Sequence, residues 1–155
     1  MRRRALLAAT GSAATVLTAG CLDGVRDRLD GSVRLGWFAA HNPDSAPHRF
    51  GLLVERDGDR VHRSDHRVPA REGDVVHSAV ADCDWGPTPG SFTVAARVDG
   101  GAWVEESVNR VDPADGREVD CAVAEATYRN GELRVFARAG CDQGYDGTCP
   151  FVDRD

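Results

Sequence analysis

The chain has 155 residues, 41% hydrophobic and 28% charged, with 25 acidic against 19 basic side chains and a formal net charge of −6. That length and apolar content suffice for one domain with its own core. All 19 basic residues are Arg, which excludes P-loop phosphate binding and Schiff-base or lysine general-base chemistry, and no basic stripe is present to neutralise nucleic-acid phosphates.

Arg2, Arg3 and Arg4 open the chain, and an uncharged run from Ala5 to Ala19 follows, closing on the small residues Thr18, Ala19 and Gly20. This is the layout of a secretory signal peptide, expected over residues 1–20. A membrane-spanning helix needs about 20 mainly apolar residues, whereas this run is shorter and contains Thr10, Gly11 and Ser12. Arg3, Arg4, Ala5, Leu6 and Leu7 resemble the twin-arginine export pattern. The stretch TAGC, ending at Cys21, resembles the lipobox of exported lipoproteins, with Thr18 where a large aliphatic residue is usual. The resemblance implies that Cys21 becomes the mature N-terminus and carries lipid on its sulfur, attaching the protein to the outer face of the cell membrane. Each buried methylene contributes about 0.8 kcal/mol, and two acyl chains anchor a protein stably where one does not.

Removing residues 1–20 leaves 16 basic against 25 acidic side chains, a net of −9, with Asp outnumbering Glu by 18 to 7. This composition resembles proteins of salt-loving archaea. In molar salt the Debye length is about 3 Å, so such charges serve solubility and not long-range steering. Residues 21–31 are polar and are expected to be a tether.

From there on turn signals recur: NPDSAP at Asn42, DG at Asp57, PAREGD at Pro69, GPTPG at Gly86, DGG at Asp99, DPADG at Asp112 and NG at Asn130. The intervals hold one strand each and no helix of ordinary length. Alternation predicts shared faces for Val33, Leu35 and Trp37, for Phe50, Leu52 and Val54, for Phe92, Val94, Ala96 and Val98, and for Leu133, Val135 and Ala137. DRVHRSDHRV is poor in apolar residues and reads as an edge strand; AWVEESV is ambiguous, because Trp103 and Val104 fall on opposite faces. Asn130 and Gly131 predict a type I′ hairpin turn. The fold expected is all-β: an immunoglobulin-like antiparallel β-sandwich of seven to eight strands over residues 32–139, followed by a cysteine-bracketed tail, 140–155. LVERDGDRVHR, FTVAARVDGGAWVEE and CAVAEATYRNGELRVFARAGC are similar to a group of small haloarchaeal exported lipoproteins, a resemblance that implies an exported sandwich and no particular chemistry.

Besides Cys21, an even set of cysteines remains: Cys83, Cys121, Cys141 and Cys149. Export permits disulfides, and four cysteines allow three pairings. Cys141 and Cys149 bracket the Gly-rich loop CDQGYDGTC, so the pairings expected are Cys141 with Cys149 and Cys83 with Cys121. No C-x-x-C spacing suggests a metal site instead.

Catalytic motifs are not visible: there is no G-x-S-x-G elbow and no H-E-x-x-H, and only a triad scattered along the chain would escape such a search. His62 and His66 would share a side of a strand about 13 Å apart, too far for one ion. His41 and His48 flank NPDSAP and are the best pair for a metal, across an expected hairpin. A blue-copper site lacks its axial Met and a following His. DCDWGPTPGSFT fails as an EF-hand, with Pro87 and Thr93 where Gly and Glu are required, and Asp142 and Asp146 in DQGYDGT read as turn formers. Trp37 reads as core. Trp85 and Tyr145, in loops, are expected to be exposed and to form a small recognition surface. The leading expectation is a lipid-anchored binding or accessory module, without cofactor or catalysis, that meets a protein or surface ligand outside the membrane; the rivals are a secreted hydrolase or redox enzyme and a metal-binding surface protein.

Overall fold

The computed structural model describes residues 32–110, 119–141 and 147–152. Among them are eight strands: β1 (Arg34–Asn42), β2 (His48–Arg56), β3 (Asp59–Val68), β4 (His77–Val80), β5 (Phe92–Val98), β6 (Val104–Ser107), β7 (Cys121–Arg129) and β8 (Glu132–Ala139). A 3₁₀ turn, Val108–Arg110, follows β6.

The strands form two four-stranded sheets, ordered β4-β1-β7-β8 and β3-β2-β5-β6. The chain alternates between them: β1 pairs with β4 in one sheet while β2 pairs with β5 in the other, the interlocked core of an immunoglobulin-like sandwich. Two turns set hairpin registers as expected. Asp57 and Gly58 have φ of 55° and 85°, and Asn130 and Gly131 have 53° and 80°, the left-handed pair of a type I′ turn, which matches the twist of the strands it joins. The polar strand β3 lies at a sheet edge, as its composition predicts, and β6 forms the opposite edge.

Two expectations are corrected. The sandwich is not wholly antiparallel, because β7 runs parallel to β1. Nor do Val33, Leu35 and Trp37 share one face: a bulge puts Leu35 opposite Ala122 and Phe38 opposite Ala124, so Leu35 and Phe38 lie together and Trp37 falls out of that set. Both aromatic rings are nonetheless buried, since β1 is covered on both faces. On one side lies the inter-sheet core with Phe50, Leu52, Val54, Phe92 and Val94. On the other lie residues 147–152, with the Cys149 amide donating to the Gly36 carbonyl at 2.8 Å. Gly36 is required there, because a Cβ would collide with the Cys141 sulfur.

The disulfides are Cys83–Cys149 and Cys121–Cys141, with Cα separations of 5.7 and 5.6 Å, and neither expected pair forms. The β7–β8 register matches Ala122 with Ala139, so the hairpin brings Cys141 beside Cys121 and leaves Cys149 to reach the 81–91 segment. In the chain-entropy model loops of 66 and 20 residues stabilise by about 4 and 3 kcal/mol.

The sandwich has two unlike ends. At the proximal end, where the chain enters β1, Val33 bridges Gly90 and Asp57 receives the Ser91 amide. Segments 43–47, 69–76 and 99–103 and the Asn130–Gly131 turn gather at the distal end.

Candidate functional site

The inner face of β3 presents His62, Ser64 and His66 at successive alternate positions. Three hydrogen bonds join this row to Asp84. Asp84 Oδ2 lies 2.9 Å from His62 Nδ1, Ser64 Oγ 2.8 Å from His62 Nε2, and His66 Nε2 2.7 Å from Ser64 Oγ. Proton counting orients the chain. An ionised carboxylate only accepts, so His62 donates from Nδ1 and, when neutral, offers a lone pair at Nε2. The one hydroxyl proton of Ser64 goes to that lone pair. His66 then donates from Nε2 to the same oxygen.

Burial peaks at His62 and falls off to either side. The His62 side chain is 2% exposed and that of Asp84 is 64%, with Ser64 and His66 half-buried between β3 and solvent. His62 meets the edge of the Trp85 indole, centroids 5.7 Å apart at 88°. Trp85 is itself fixed: its indole N–H donates to the Leu35 carbonyl at 2.7 Å, its own carbonyl accepts from Arg56 at 2.8 Å, and neighbouring Cys83 is bonded to Cys149. Since β3 is paired on one side only among the described residues, the polar row also keeps this edge from docking onto another sheet.

The expected recognition surface of Trp85 and Tyr145 is therefore corrected. Trp85 is 2% exposed, because the disulfide folds its loop onto β1, and it forms the wall behind His62. Tyr145 lies outside the described residues.

The hairpin expected to bring His41 and His48 face to face is corrected as well. The segment after His41 crosses to the other sheet and is not a hairpin, so the two histidines have separate partners. His41 Nδ1 lies 2.6 Å from Ser78 Oγ on β4. His48 Nδ1 lies 2.7 Å from Asp99 Oδ2 and its ring packs edge-on against Tyr128. Among the described residues no group of three or more His, Cys, Asp or Glu side chains is arranged to hold a metal.

The two histidine neighbourhoods make one pH prediction. Burial holds His41 below the ordinary imidazole value, against the opposing pull of Glu125 and with a smaller push from Arg138. Asp99 is held below the ordinary carboxylate value by the Arg49 amide and then by the His48 side chain. Both groups bind fewer protons folded than unfolded, so stability rises with pH. The His41 part is fully present above its unfolded value of about 6.5 and is lost as pH falls through the lower folded value; the Asp99 part is lost at more acid pH. The urea midpoint should fall on acidification from about pH 7.5 to 5, and His41→Gln should flatten that fall. An equal slope in the variant would contradict this reading.

No family model and no curated protein matches the chain.

A second feature lies at the distal end. Pro43, Asp44, Ser45, Arg71, Val76, Arg129 and Asn130 line an open cleft of ≈ 370 Å³. Asp44 is engaged within its own turn, accepting the Ser45 amide at 2.7 Å and facing His48 Nε2 at 3.7 Å. The outward charges of the cleft are thus the guanidinium groups of Arg71 and Arg129, both exposed. Beside them Val75 and Val76 are 58% and 42% exposed. Sequence reasoning missed this cleft, because its residues come from three separate turns.

Proposed function

We propose that the protein is an exported β-sandwich, held at the outer face of the cell membrane by lipid on Cys21, that binds a partner through its distal loops. The observation that carries this reading is the polarity of the fold. The chain from Cys21 through the 21–31 tether joins the body at the proximal end, and the cleft opens at the other, formed by loops 43–47 and 69–76 and the Asn130–Gly131 turn. An anchored molecule would present that end outward. The β1–β2 and β5–β6 connections gathered there correspond to two of the binding loops of an immunoglobulin variable domain, B–C and F–G, a correspondence of position and not of chemistry.

Paired guanidinium forks match carboxylates in geometry as well as charge, and Val75 and Val76 supply apolar contact. The partner is therefore read as a protein or surface ligand bearing carboxylates on an otherwise apolar segment. A fluorescent octaglutamate peptide with two flanking leucines is the probe, with anisotropy the readout. The wild type should bind it, and Arg71→Ala with Arg129→Ala should weaken binding at least tenfold, consistent with about 1.5–3 kcal/mol for hydrogen bonds to charged groups. No binding by the wild type, or equal binding by the double variant, would defeat the reading.

A further inference from the structure

We propose that Ser64 is a nucleophile, with His62 as its base, His66 and Asp84 as positioning residues, and a carboxylic ester or thioester reaching the β3 flank as its substrate class. This goes beyond the distal-end reading and concerns a different face of the molecule. Its test is independent of the partner and of the anchor.

The geometry carries three of the requirements of acyl transfer. Nucleophile and base lie within hydrogen-bond reach at 2.8 Å, and the base is oriented by a carboxylate at 2.9 Å on its other nitrogen, which is how a serine–histidine–carboxylate unit is recognised irrespective of chain order. The second histidine, at 2.7 Å, donates to the serine oxygen and leaves its proton directed at His62. The base is shielded by Trp85, while Ser64 is half-buried on the edge strand.

Donors for the developing oxyanion come from the strand itself. β3 pairs only with β2, and no other backbone hydrogen bond among the described residues engages His62 to His66. In an edge strand every second N–H points away from its neighbour; Arg49 of β2 turns its backbone to Asp99, which leaves Phe50, Leu52 and Val54 facing β3 and paired with His66, Ser64 and His62, so the open N–H beside the nucleophile is that of Asp65. Backbone donors at such a position stabilise a tetrahedral intermediate.

The step balances without a cofactor. The Ser64 oxygen forms a bond to the carbonyl carbon, the carbonyl π pair moves to oxygen, and the hydroxyl proton passes to His62 Nε2. As the intermediate collapses, the bond to the alkoxide or thiolate breaks and the leaving group takes that proton. Water, deprotonated by His62, then attacks the acyl-serine. The products are a carboxylic acid, an alcohol or thiol, and the original serine.

His62 and Ser64 are two residues apart on one strand, while Asp84 is brought in by the loop that the Cys83–Cys149 bridge holds. A fluorophosphonate probe reports on such a serine directly. Incubated with the full chain, it should form an adduct that peptide mass spectrometry places on Ser64. Ser64→Ala should abolish the adduct. Asp84→Asn, a change at an exposed carboxylate, should slow labelling by about 100-fold or more, the lower end of what a positioned general base supplies. Thermal unfolding of each variant verifies folding. Absence of an adduct on Ser64 in the wild type, or an adduct forming in Asp84→Asn at the wild-type rate, would overturn the proposal.

Discussion

Replacing Trp85 with alanine is expected to destabilise the protein by about 3–5 kcal/mol, the range for emptying the site of a fully buried large aromatic. Trp85 is 2% exposed, donates to the Leu35 carbonyl at 2.7 Å and packs edge-on against His62. Its loss would open a cavity between the 81–91 segment and β1. It would also strand a buried backbone acceptor, which alone costs about 1–3 kcal/mol. For a domain of this size the unfolding temperature should fall by roughly 10 °C or more. Trp85→Phe separates the two contributions: it keeps much of the volume, loses the hydrogen bond, and should fall between wild type and alanine. A surface tryptophan of the kind expected from the sequence would change stability by no more than about 0.5 kcal/mol, so a shift that small would show that the burial is wrong.

The second large effect belongs to Cys21. Cys21→Ser removes the only thiol to which lipid is proposed to attach, and the protein should move completely from the membrane fraction to the medium or the soluble fraction. The change is expected to be all or none. Attachment through two acyl chains, as proposed, would have no partial substitute in the disulfides and apolar core of the described residues, which involve other side chains, and a single short chain would bind only reversibly. Folding should be unaffected, with the same urea midpoint as the untethered wild-type body. Continued full membrane association of Cys21→Ser would show that something other than this thiol anchors the chain.

What is legible in the sequence follows a physical division between local and long-range order. Asn130 and Gly131 specify a turn through their own φ preferences, and β3 declares itself an edge through its charges; both are local and both hold. The register of that turn even contained the Cys121–Cys141 pairing, since counting outward from it brings Cys141 beside Cys121. Sequence proximity of Cys141 to Cys149 obscured this. The parallel pairing of β7 with β1 could not be read in the same way, because it joins residues about ninety positions apart with no turn between them. The bulge that separates Trp37 from the Leu35 face is a property of that pairing, and so was hidden with it.

The candidate site divides likewise. HRSDH displays a period of two, so the alignment of His62, Ser64 and His66 is legible on any strand that holds it. Asp84 is not, because its approach depends on the Cys83–Cys149 bridge and on Trp85 turning inward. Asp and Gly beside Trp85 suggested an exposed turn, and the turn is real: Asp84 is largely exposed and Gly86 has a φ of 68°. Only the indole between them departs from its surroundings, drawn inward by the Leu35 carbonyl.

The measurement closest to the central claim is mass spectrometry of the N-terminal peptide of the protein purified from its membrane. The account predicts a peptide beginning at Cys21 and carrying the mass of a lipid on sulfur. A peptide that still includes residues 1–20, with Cys21 as a free thiol, would contradict it.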